Sequence, residues 1–135
     1  ETMSREVNVS IGKASYKTEV TIDQHLLIAD EPTELGGSDL GPTPTELLLS
    51  SLGTCKAITV KMYADRKQWD LQEVRIKLSI TQQKEGAQRS SLISCSLDFI
   101  GALDADQKER LKRMAEKCPI HLMLSNPITI ESNLL

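Results

Sequence analysis

Apolar and polar residues alternate from the start of the chain: Val7, Val9 and Ile11, then, beyond Gly12 and Ser15, Tyr16, Thr18, Val20 and Ile22. A period of two predicts strands, here a hairpin or meander, with a third strand over about residues 26–29 after the Asp23-Gln24 turn. From Asp30 to Pro44 the chain carries three prolines and three glycines, which predicts a long loop. Ordered loops of that length are often functional. Asp30, Glu31, Glu34 and Asp39 within it read as solvating charges. A helix is predicted over about residues 45–66, with Thr43 as N-cap and Pro44 at its first position. Leu47, Leu48, Leu49, Ser50, Ser51, Leu52, Gly53 and Thr54 are apolar or small on every side, the pattern of a helix buried all round.

Alternation then returns. Val74, Ile76, Leu78 and Ile80 share one face of residues 71–83, with Arg75, Lys77, Ser79 and Thr81 opposite, and Ile93, Cys95, Leu97 and Phe99 repeat the pattern after Glu85-Gly86. These are two long antiparallel strands. Asp104 caps a second helix whose Leu111, Met114, Ala115 and Cys118 form one stripe, leaving Lys108, Arg110, Lys112, Arg113 and Lys117 toward solvent. Pro119 ends it. A short helical turn through Leu124 and a last strand over residues 128–131 complete an α+β domain.

Composition narrows the possible partners. With 135 residues the chain is one domain, 1–135, in which Glu1 and Thr2, preceding Met3, read as a cloning remnant. One Trp, one Phe and two Tyr leave few platforms for stacking bases, and a net charge of −3 supplies no basic stripe, so nucleic acid is excluded as a partner. No apolar run is long enough to cross a membrane, and no secretory leader is visible. A cytoplasmic protein is the expectation, where three cysteines are reduced thiols rather than a disulfide framework.

Two of those thiols carry the candidate chemistry. Cys55 lies mid-helix and Cys118 at a helix break, 63 residues apart, so only the tertiary fold can join them. On the helix surface Cys55 shares a seam with Leu48, Leu52, Thr59 and Met62, which fits a small buried hydrophobe as well as a nucleophile. A nucleophilic thiolate needs a neighbouring cation or donor, for which Lys13, Lys17, Lys56 and His121 are available. Cys118 is either the N-cap of the turn opened by Pro119, a position that favours thiolate, or the last apolar residue of the second helix. Cys95, facing inward on its strand, reads as core filler. Cys55, Cys118, His121 and His25 could be drawn as a metal set, but no Cys pair or His pair has ligand spacing, so neither metal nor cofactor is expected. No nucleophile-elbow or phosphate-loop motif is present.

Taken together, Gly41-Pro-Thr-Pro-Thr-Glu-Leu-Leu-Leu-Ser-Ser-Leu-Gly-Thr-Cys55, Tyr63-Ala-Asp-Arg-Lys67 and Cys118-Pro-Ile-His121 resemble the osmotically inducible protein C (OsmC) and organic hydroperoxide resistance family, across essentially the whole chain. The resemblance implies an intertwined α+β homodimer, antiparallel sheets wrapped around long central helices, with active sites at the subunit interface. It further implies that Cys55 attacks a peroxide to give a sulfenic acid, that Cys118 resolves it as a disulfide, and that an external dithiol reductant closes the cycle. Well-characterised members pair the first cysteine with an Arg from the N-terminal strands and a Glu just after the helix-opening Pro. Here no Arg lies between Arg5 and Arg66, and Thr45 separates Pro44 from Glu46, so Glu46 and Lys17, or Lys13, are the residues offered for those places. These departures suit an OsmC-like branch. The alternative is a non-peroxidatic dimer that binds a small apolar or electrophilic molecule or senses redox state.

Overall fold

The computed structural model describes residues 5–135, so the Glu1-Thr2 pair lies outside the described residues. The chain divides into two compact units, one ending at Leu48 and one running from Leu49 to Leu135.

The first unit is a meander. Strands β1 (Asn8–Ile11), β2 (Thr18–Ile22) and β3 (His25–Ala29) pair antiparallel in that order, with Val9 opposite Val20 and Val20 opposite Leu27. The 30–44 segment is a loop as the prolines and glycines require, interrupted by one 3-10 turn at Thr33–Leu35. Its organising residue is Asp30. Far from a solvating charge, Asp30 is 2% exposed and its carboxylate accepts backbone N–H groups from Tyr16, Glu31, Ser38 and Leu40 at 3.2, 2.7, 3.3 and 3.1 Å. The correction has a simple cause: a loop that folds on itself turns donors inward that no strand can satisfy, and a carboxylate can accept several at once. Burial by itself would raise the Asp30 pKa, but the four N–H donors outweigh it and hold the carboxyl below its ordinary value. The loop ends in the first turn of α1 (Pro44–Lys67). There Thr43 Oγ1 accepts from Glu46 N at 3.2 Å and Glu46 Oε1 accepts from Thr43 N at 2.9 Å, a reciprocal capping box behind Pro44.

The second unit comprises the rest of α1, the hairpin β4 (Asp70–Glu85) and β5 (Gln88–Ala102), and the helices α2 (Ala105–Ala115) and α3 (Pro119–Leu124). The alternation read from sequence sets the register: Val74 faces Phe99, Ile76 Leu97, Leu78 Cys95 and Ile80 Ile93. Near the hairpin's base a register irregularity falls between Leu71 and Glu73. Gly101, at φ +151°, lets that base close, because a Cβ there would lie 1.9 Å from Asp70 O. Val60, Tyr63 and Ala64 of α1 pack with Leu71, Phe99, Leu111 and Ala115 to form the core. Trp69 meets Tyr63 edge to face at 5.6 Å, and Arg110 Nε donates to the Tyr63 hydroxyl at 2.9 Å. Asp104 caps α2 in a second capping box, its carboxylate accepting Gln107 N at 2.7 Å.

Three expectations need correction here. The last strand, 128–131, is not formed: Ile128 and Ile130 alternate as a strand would, yet no ladder within the described chain pairs with them. Second, α1 is not buried all round. In its first half only Leu52 and Gly53 are buried, while Leu48, Ser50, Ser51 and Thr54 are exposed; along the whole helix Leu52, Gly53, Lys56, Val60, Tyr63 and Ala64 form one buried stripe, and Ile58 and Met62 are 50% and 60% exposed. Third, Cys95 is half-buried rather than core filler. It lines a cavity instead of packing solidly.

Candidate functional site

On the buried stripe of α1, Lys56 occupies a position where helical spacing from Leu52 and Val60 would place an apolar residue, and it is 3% exposed. A buried ammonium needs partners. Nζ donates to Ala115 O at 2.9 Å, a carbonyl at the C-terminal end of α2, and lies 2.7 Å from His121 Nδ1 on α3. Because a lysine ammonium can only donate, Nδ1 accepts and the proton of the neutral imidazole sits on Nε2.

Cys118 stands between α2 and α3 and is wholly buried. It satisfies both readings left open by its sequence: it closes the apolar stripe with Leu111 and Ala115, and it is the N-cap of α3, its Sγ accepting from His121 N at 3.3 Å. Cys55, half-buried on α1, lies close enough to Cys118 to influence its ionisation, so the fold brings the two distant thiols together. Burial is the largest influence on Cys118 and pushes its pKa up; the His121 N–H lowers it, the hydrogen bond and negative charge of Cys55 raise it, and the Lys56 charge lowers it, leaving the Cys118 thiol above its ordinary value. Cys118 is therefore held as the protonated member of the pair.

Lys56 and His121 face a cavity of about 290 Å³ lined also by Leu52, Ser91, Ile93, Cys95, Leu124 and Ser125. Of the four cations the sequence offered, Lys56 and His121 belong to this cluster. Lys17 is exposed immediately before β2, and Lys13 is exposed in the bend between β1 and β2. Glu46 is engaged in the capping box of α1. Lys13, Lys17 and Glu46 all belong to the first unit, Cys55 and Cys118 to the second. His25 begins β3 in the first unit and has no place in the cluster. The sequence signal that singles out Lys56 among the lysines is its phase: it is the one charged residue on a helical stripe otherwise made of Leu, Gly, Val, Tyr and Ala.

A long helix bearing one thiol, an antiparallel hairpin beneath it and a second thiol at a helix break define an α+β protein of the two-thiol kind. Residues 36–133 match the OsmC-like protein family, and the chain belongs to that family. No curated protein matches it in sequence. Solved structures share the fold: an OsmC-like protein from Mycoplasma pneumoniae is 17% identical, with a TM-score of 0.74 over 93% of this chain and 89% of that one. An organic hydroperoxide resistance protein OsmC from Legionella pneumophila is 18% identical, with a TM-score of 0.68 over 91% of each chain. The organic hydroperoxide resistance protein OhrB of Bacillus subtilis is 16% identical, with a TM-score of 0.63 over 90% of each. Among the described residues no helix is long and apolar enough to cross a membrane.

Proposed function

We propose that the protein is a thiol-dependent peroxidase that reduces organic hydroperoxides. The observation that carries this reading is that the fold sets Cys118, buried at the N-cap of α3, near enough to Cys55 to feel it. In the first step the Cys55 thiolate attacks the peroxide, the O–O bond breaks, and Cys55 becomes a sulfenic acid while the alkoxide takes a proton and leaves as the alcohol. In the second, Cys118 sulfur attacks that sulfenic sulfur, the S–O bond breaks, water leaves, and the disulfide forms. A dithiol reductant returns both thiols by exchange. A reducing cytoplasmic setting suits this cycle. The division of roles is supported by burial, the largest influence on Cys118, which holds its thiol above its ordinary value beside the less buried Cys55.

The working form in this reading is the homodimer expected of the family, with its active sites at the subunit interface. The exposed apolar residues Ile58 and Met62 on α1, and Ile128 and Ile130 in the unpaired terminal segment, favour a covering partner. Glu46 and Lys17 are the residues this reading offers for the Glu and Arg that family members use. After one equivalent of hydroperoxide, mass mapping should find a Cys55–Cys118 crosslink in the wild-type protein. In Cys118→Ser it should find Cys55 as sulfenic or further oxidised acid, and Cys55→Ser should leave Cys118 largely unmodified. Wild-type protein with neither cysteine modified would overturn the peroxidase reading in favour of a binding or sensing dimer.

A further inference from the structure

A fully buried thiol whose proton is held by its surroundings is poorly suited to attack another sulfur, since the thiolate is the nucleophile. Cys118 nonetheless has a cation placed for that task. Lys56 is 3% exposed, is the one charged side chain lining the cavity, and is fixed from two sides, by Ala115 O at 2.9 Å and by His121 Nδ1 at 2.7 Å. Those two contacts use two of its three N–H donors. No carboxylate lines the cavity to neutralise it: α1 contributes Leu52 and Lys56, α3 His121 and Leu124, and β5 only Cys95 as a further titratable group, while α2 supplies Lys56 with a carbonyl. The carbonyl that anchors Lys56 ties it to Cys118: Ala115 O accepts from Lys56 Nζ at 2.9 Å and from Cys118 N at 3.4 Å, while His121, the other anchor, donates its backbone N–H to Cys118 Sγ at 3.3 Å.

We propose that Lys56 is a positioning residue for the resolving step: it supports Cys118 as the thiolate that attacks the Cys55 sulfenic acid, and His121, by fixing Lys56, keeps its charge there. This rests on the peroxidase reading for its place in the cycle, but the electrostatic relation is a property of the folded chain. The balance closes. The Cys118 proton leaves to solvent, its sulfur forms the S–S bond, the Cys55 S–O bond breaks, and the departing hydroxide takes up one proton to leave as water; Cys118 sulfur is oxidised and the sulfenic sulfur reduced. The small cavity beside Lys56 and His121 is where water and that proton pass. The direction of the electrostatic influence agrees, since the Lys56 charge acts on Cys118 against the larger effect of burial.

The test uses Cys55→Ser/Cys95→Ser protein, in which Cys118 is the single thiol, and follows thiolate absorbance against pH with no peroxide present. Adding Lys56→Met should move the Cys118 transition upward by about one pH unit, the lower end of the shift expected for loss of an adjacent opposite charge, while Lys56→Arg should keep most of the effect. His121→Leu, which leaves the lysine in place and removes one of its two anchors, should shift the transition in the same direction by less. Identical titrations with and without Lys56 would overturn the proposal. Should Lys56→Met fail to fold, an unchanged transition in His121→Leu would overturn it equally. In otherwise wild-type protein exposed to hydroperoxide, Lys56→Met should raise the ratio of trapped Cys55 sulfenic acid to disulfide several-fold. Wild-type protein inert to hydroperoxide would sink the peroxidase reading while leaving the titration result intact.

Discussion

Asp30 and Lys56 are the two buried charged residues among those described, and each shows how a chain pays for burying a charge. Asp30 is matched by four backbone donors and shapes a loop, whereas Lys56 is matched by two acceptors and stands beside two thiols. The Asp30 carboxyl, held below its ordinary value, stabilises the folded state at pH values above the unfolded carboxyl pKa. That contribution is lost as the pH falls through the folded value. Asp30→Asn should therefore lower the melting temperature at neutral pH, because an amide presents one acceptor oxygen and turns an NH2 group toward donors. It should also flatten the acid side of the stability profile. A variant that melts like the wild type at pH 7 would show that the loop does not depend on the carboxylate.

Each helix is defined by its ends as much as by its stripe. Both α1 and α2 open with a reciprocal cap, Thr43 with Glu46 and Asp104 with Gln107, spelled out in sequence three residues apart. Asp104→Ala should destabilise the second unit by about 1 kcal/mol in chemical denaturation, the usual magnitude for a lost N-cap. Hydrogen exchange should rise first in the opening turn of α2. No measurable loss would mean that tertiary packing of Leu111 and Ala115 alone holds the helix start. On α1, Gly53 lies where a Cβ would come 2.7 Å from Leu78 Cδ1, so the helix meets the hairpin closely at the turn just before Cys55.

For the whole molecule, the proposed homodimer makes Ile58 and Met62 an interface, since they occupy the part of α1 that the subunit's own core does not cover. Ile58→Lys combined with Met62→Lys should leave the subunit's core untouched and shift sedimentation from dimer to monomer at micromolar concentration. A double variant that still sediments as the wild type, or a wild-type protein that is already monomeric, would refute the interface.

Much of this protein is legible in its residue pattern. The period-two stretches placed β1, β2, β4 and β5, because a strand's faces alternate whatever it packs against, the Asp23-Gln24 turn placed β3, and Asp104 and Pro119 marked helix ends through local backbone chemistry. The family also was readable, from the Cys55 and Cys118 contexts. Other features needed the fold. Ile128 and Ile130 have the alternation of a strand but no ladder, since pairing depends on a neighbour that no local pattern supplies. The first half of α1, apolar or small on every side, looked buried all round, although one subunit covers a single stripe. Asp30 passed for a solvated charge because the four N–H groups that fix it are brought round by the loop's own closure. Sequence could name Cys55, Cys118, Lys56 and His121 as candidates, since residue type determines what chemistry a side chain can do. Only the tertiary structure could choose among the cations, because which charge lies beside a thiol depends on contacts between helices far apart in the chain, and those were decided when α1, α2 and α3 packed together.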